Sequence, residues 1–344
     1  MPEKKTDSRH GPGADPFDER IAHPFRRRFR LLGRQFEFQS NSRRLLSLVD
    51  EAYRNLPAHV LEAGRSAFRI RLHSSAHASP GARAHPPPMR MQGGAGLLFG
   101  GMDAANFAVL DPAHRRGLVV VSKELLAHPY HARYELIEFA VFTLACRAQR
   151  LIPLHAACIG RAGAGLLLIG DSGAGKSTLA LLCAARDMGL VTEDATFIHP
   201  RRLLCTGVAN FLHLRDSSLR FVQDAALVRR IRQSPVIERR SGVRKHELDL
   251  RRSGLGLAAS PPRLHAVVFV SSRPARGAPL TRLPRARARE RMRLGQSYAR
   301  SLPGWSTFER NLRDVPCYEL RRGRHPCEAV DALDGLLPAR HAAR

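Results

Sequence analysis

Residues 166–194 read L-L-L-I-G-D-S-G-A-G-K-S-T-L-A-L-L-C-A-A-R-D-M-G-L-V-T-E-D, and the fold is decided there. Gly170, Asp171, Ser172, Gly173, Ala174, Gly175, Lys176 and Ser177 satisfy the phosphate-loop pattern G-x-x-x-x-G-K-[ST]. The flanks agree with it. Residues 166–169 are a short apolar run suited to a buried strand. Residues 177–186 set Leu179, Leu182 and Cys183 at helical spacing, with no Pro or Gly among them. Strand, glycine loop and helix together predict a nucleotide site.

Each residue type has a physical task. Gly170, Gly173 and Gly175 let the backbone turn tightly and bring its N–H groups to phosphate oxygens. The helix that follows, beginning with Ser177 and Thr178, adds its unpaired amides and the positive end of its dipole. Lys176 reaches toward the β- and γ-phosphates, and the Ser177 hydroxyl is a ligand for Mg2+. ATP and Mg2+ are therefore the expected cofactors. Glu193 and Asp194 lie 17 and 18 residues beyond Lys176, so one helix and one return strand place two carboxylates near the phosphates. A later strand, residues 266–270, ends in Ser271-Ser272 and offers no acid. The metal and base roles fall to Glu193 and Asp194 by elimination; the bland alternative is an ordinary solvated acidic turn.

A chain of 344 residues, 44% hydrophobic, is long enough for two domains or one large domain with an appendage. It has no run of 18 apolar residues and no apolar signal core at its start, which predicts a soluble, cytoplasmic protein without a membrane role. Six cysteines are scattered without a C-x-x-C pair and read as buried small hydrophobes rather than a zinc or disulfide frame. The net charge is +26, and only five of the 56 basic residues are lysine. Such a surface attracts ATP, acidic peptides and nucleic acid alike. Dispersed arginines and 6% aromatics argue against a nucleic-acid platform.

Residues 1–22 read as a disordered tail and residues 23–90 as a small α+β region with a loop; residues 91–340 read as the P-loop catalytic domain. The basic run 23–30 suits a solvated edge strand. Strands are expected at 36–38, 68–72, 96–99, 106–110 and 117–121, and helices at 44–53 and 131–149. Residues 154–159, carrying His155, should form a hairpin with the strand that enters the loop. The basic stretch 223–245 is either a mobile loop closing over phosphates or a solvated charged segment, and residues 273–289 read as a linker.

The segment L-H-A-A-C-I-G, then L-L-L-I-G-D-S-G-A-G-K-S-T, then G-L-V-T-E-D resembles the HPr kinase/phosphorylase family and its related branch. The shared spacings are a histidine 15 residues before Gly170, the loop itself, and the acidic pair 17 residues past Lys176. The resemblance implies a phosphoenolpyruvate-carboxykinase-like α/β domain with a mixed sheet. It also implies a serine kinase in which His155 and Asp194 act on the incoming hydroxyl, Lys176 and Ser177 hold phosphate and Mg2+, and Glu193 supports the metal. The acceptor would be a serine of a protein or small peptide. A homo-oligomer is compatible with the resemblance, although no residue here specifies one. The chain departs from the family in having Glu193-Asp194 for two aspartates, and in lacking the signature E-I-R-G-L-G, whose region is occupied by residues 208–215. The alternatives are a P-loop NTPase serving nucleic acid or transport, and a non-catalytic nucleotide sensor.

Overall fold

The computed structural model describes residues 21–62, 66–82 and 85–339. The expected tail, residues 1–22, lies outside the described residues except for its last two. The chain is α/β, with mixed sheets. No helix among the described residues is long and apolar enough to cross a membrane.

The first sheet has seven strands: β1 (Phe25–Leu31), β2 (Arg34–Ser40), β3 (Phe68–Ser75), β4 (Arg90–Gly94), β5 (Leu97–Asp103), β6 (Asn106–Asp111) and β7 (Arg116–Ser122). Their order is β1-β2-β3-β7-β6-β5-β4, with β2–β3 and β3–β7 parallel. The basic run is indeed an edge strand, its arginines exposed. The expected division at residue 90 falls inside this sheet, at β4, which lies at the end of what reads as a loop. Period-two patterning marks a strand but does not say which distant strand it joins.

The helix Arg43–Tyr53 joins β2 to β3; Ser42 caps it by accepting from the Leu45 N–H. A second helical segment packs on the same sheet. Residues 131–149, read as one helix, begin with a π-helical stretch, Ala132–Glu138, before the α-helix Phe139–Gln149. Ile137, Val141 and Leu144 are fully buried, each removal from water contributing about 1.5–3 kcal/mol.

The second sheet holds the loop. Its strands are β8 (Ile152–Arg161), β9 (Ala164–Ile169), β10 (Gly189–Thr192), β11 (Ala195–Ile198), β12 (Cys205–Thr206), β16 (Arg263–Pro274), β17 (Leu280–Arg282) and β18 (Cys317–Arg322). Their order is β12-β11-β8-β9-β16-β18-β17, with β10 also on β8. The expected hairpin is β8–β9, closed by Ala162 and Gly163 at positive φ. β9 lies parallel to β16, and β16 to β18, so the loop leaves the sheet at the carboxyl end of a central strand.

A three-stranded sheet, β13 (Phe211–Leu214), β15 (Arg244–Asp249) and β14 (Val236–Glu238), stands over the loop. The basic stretch 223–245 is thus built structure. Asp224 caps the helix Ala225–Gln233, which buries Leu227 and Ile231, and β14 follows. Two apolar positions four apart are easily lost among arginines. Likewise, the linker 273–289 contains β17 and the start of the helix Arg285–Gly295.

Candidate nucleotide site

β9 ends at Ile169, and Gly170 must pass hard against β16. A Cβ there would lie 2.5 Å from the Val270 carbonyl oxygen, so only glycine fits. Gly173 and Gly175 have φ of +84° and +102°, the left-handed region that disfavours side chains. That turn aims the first amides of the helix Lys176–Ala184 into a cleft of about 900 Å³. Lys176 folds its ammonium back onto the loop, donating to the Gly170 carbonyl at 2.5 Å and that of Asp171 at 3.2 Å. Burial lowers its pKa, against the pull of Asp194, Glu193 and Asp171. The Thr178 hydroxyl lies 2.9 Å from that of Ser218.

The two acids stand at the β10–β11 junction and face different partners. Glu193 is buried, and Ser177 donates its hydroxyl to Oε1 at 2.5 Å. Asp194 is more open, its Oδ1 3.3 Å from Nδ1 of His155, an imidazole 57% exposed toward the cleft. Register explains the meeting. β11 runs antiparallel to β8 with Ala195 opposite His155, so residues 40 apart in sequence become neighbours. β9 pairs with β8 only from Ala156 onward, because the chain departs at Gly170. There the Gln296 side chain takes the place of a strand: it accepts from the His155 N–H at 2.9 Å and donates to its carbonyl at 3.4 Å.

The cleft therefore brings together His155, Asp171 to Thr178, Glu193 and Asp194, with Gly170 beneath them. Its opposite wall comes from residues the motif does not contain. Tyr130 and Tyr134 stack at 5.4 Å, and both meet the His213 ring edge-on at 6.2 Å. Burial pushes the Tyr130 pKa up to about 12. Arg239 lies over Tyr134 and donates to Nδ1 of His213 at 3.0 Å, while Nε2 of that ring is 3.1 Å from Glu247. A guanidinium only donates, so this arrangement fits a neutral ring protonated at Nε2. Burial opposes a charged ring, but the neighbouring carboxylates of Glu193 and Glu247 outweigh it and raise the His213 pKa. Burial would likewise raise the Glu193 pKa, yet the nearby His213 ring and the Ser177 hydroxyl leave it lowered. Lys245 shares the wall, its pKa lowered by burial. A usable signal existed in F-L-H-L and R-K-H-E-L-D-L, where a polar side chain takes the inward position of a short strand.

The donors suit Mg2+. The Ser177 hydroxyl and the Glu193 carboxylate are hard oxygen donors already in mutual contact, with Asp194 beside them. Among the described residues, no group of three or more His, Cys, Asp or Glu could cage a metal alone. A Mg2+ that takes one or two carboxylates and the nucleotide's oxygens needs no such cage.

No family model matches the chain, and no curated protein matches it. Among solved structures, it is similar to the Hpr(Ser) kinase/phosphatase from Coxiella burnetii at 14% identity and a TM-score of 0.27, over 54% of this chain and 96% of that one. A likeness at that level decides neither the fold nor the chemistry, which rest on the geometry above.

Proposed function

We propose that this chain is a phosphoenolpyruvate-carboxykinase-like kinase that transfers the γ-phosphate of Mg·ATP to a serine hydroxyl of a protein or peptide. The observation that carries the proposal is the separation of the two acids. Glu193 is buried against Ser177 on the phosphate side, whereas Asp194 and His155 face open cleft. One carboxylate is thereby left for the metal and the other for an incoming group.

Loop amides and Lys176 hold the β- and γ-phosphates in line. Ser177 and Glu193 would hold Mg2+, which would supply neutralising charge. Asp194, oriented by His155, takes the proton of the acceptor hydroxyl as its oxygen bonds to the γ-phosphorus. The bond from that phosphorus to the β–γ bridging oxygen breaks, and ADP leaves. A solvated acidic turn would not need the Ser177 contact or the buried carboxylate.

The test incubates the protein with γ-labelled ATP, Mg2+ and extract of its host, beside Lys176→Ala and Asp194→Asn. Label on a discrete polypeptide with wild type alone supports the kinase. Labelled free phosphate that rises with added nucleic acid would favour an NTPase instead, and tight nucleotide binding with neither outcome a sensor.

A further inference from the structure

We infer that the π-helical stretch Ala132–Glu138 sets the position of Glu193 through a buried chain, which makes Arg133, Glu247 and His213 positioning residues of the Mg·nucleotide site. The inference rests on the reading above that Glu193 and Ser177 hold the metal.

Arg133 has a side chain only 2% exposed, and its guanidinium lies 4.1 Å over the Phe211 ring. It donates to Oε1 of Glu247 at 2.6 Å, while Glu138 and Glu51 stand 3.8 Å and 3.5 Å away. That same Glu247 oxygen faces Nε2 of His213 at 3.1 Å. The other ring nitrogen is 3.8 Å from Oε2 of Glu193, whose Oε1 accepts from Ser177. The links run from the helical segment on the first sheet, through β15 and β13, to the acids after β10 and the loop helix. Arg133, Glu247, His213 and Glu193 are all buried. In such surroundings Arg133, Glu247 and His213 hold one another by hydrogen bonds, the ring stands against Glu193 at 3.8 Å, and none of them can turn to water when a partner is removed.

This bears on metal binding because Mg2+ demands near-octahedral geometry, so a carboxylate ligand must present its oxygen in one direction. Partners behind a ligand fix that direction, and losing one commonly costs about 10–100-fold in metal affinity. Asn210 adds a brace by donating to Glu138 at 2.8 Å. A chain serving the first sheet alone would end at Glu51 and Glu138. This one continues to the loop.

The test titrates ADP calorimetrically into the full chain, with Mg2+ and again with EDTA. Wild type is compared with Arg133→Lys, Arg133→Met, Glu247→Gln, His213→Gln, Glu193→Gln and the double variant of Glu193→Gln with Glu247→Gln. The expected result is that Glu247→Gln and His213→Gln lose about 10-fold of the Mg2+ enhancement, with metal-free ADP affinity unchanged. Arg133→Lys, which keeps a cation but not the fork, should recover part of what Arg133→Met loses. Adding Glu247→Gln to Glu193→Gln should change nothing further. Unchanged enhancement in Glu247→Gln and His213→Gln, equal losses with and without Mg2+, or no enhancement in wild type would each overturn the inference. Failure of the kinase reading is separate: wild type would transfer no label while the enhancement pattern persisted.

Discussion

The two walls of the cleft are built in opposite ways. One is local: β8, β9, the loop, its helix and the acids occupy residues 152–194, and a hairpin and one return strand bring them together. The other is assembled from Tyr130, Tyr134, His213, Arg239 and Lys245, with Glu247 behind His213, on a helical segment, two short strands and the turn after β14, far apart in sequence. The local wall holds the groups assigned to touch phosphate, metal and hydroxyl. In the distant wall His213 and Glu247 are buried and the others partly buried, and its groups fix neighbours instead. Chemistry can be written in one stretch, but a rigid surrounding requires long-range packing.

The largest effect should come from the local wall. Asp194→Asn is expected to lower turnover by about 10²–10⁴-fold with nucleotide affinity little changed, measured by label transfer and ADP titration. The distant wall should break differently. Arg133→Met strands Glu247 and Glu138 without their cation and should cost about 3–5 kcal/mol of stability in denaturant unfolding. An equal stability loss from Asp194→Asn would erase the contrast.

Gln296→Ala sharpens it, since Gln296 lies outside both walls yet holds His155 through its backbone. It should cost about 1 kcal/mol of stability and lower turnover without raising the KM for ATP. The smallest effect concerns pH. Burial would raise the Glu247 pKa, but His213 and Arg133 hold it below its ordinary value of 4.5. Its contribution to stability is therefore present above about pH 4.5 and is lost as pH falls through the lower folded value. Melting temperature measured against pH should fall less steeply below pH 4.5 in Glu247→Gln than in wild type.

The same division governs what could be read in the chain. Leu166 to Ile169, three glycines and a helical run specify their own conformations, so loop and hairpin are legible from neighbours alone. The meeting of His155 with Asp194 follows from spacing once β8 and β11 are known to pair. The parallel pairing of β3 with β7 has no local signature, since alternation names a face and not a partner. Arginine-rich composition hides the helix Ala225–Gln233, whose apolar stripe is Leu227 and Ile231. Ala132–Glu138 carries ordinary helical spacing, and nothing in its letters announces a π turn. Gln296 is silent for the same reason: its bonds go to a backbone 141 residues away.

The most direct measurement follows an isotopically marked γ-phosphate of ATP by mass spectrometry, with the purified protein, Mg2+ and extract of its host. The account predicts that the mark appears on a serine of a discrete polypeptide, with wild type and not with Asp194→Asn. Marked phosphate found only in water, at equal rates in both proteins, would contradict it.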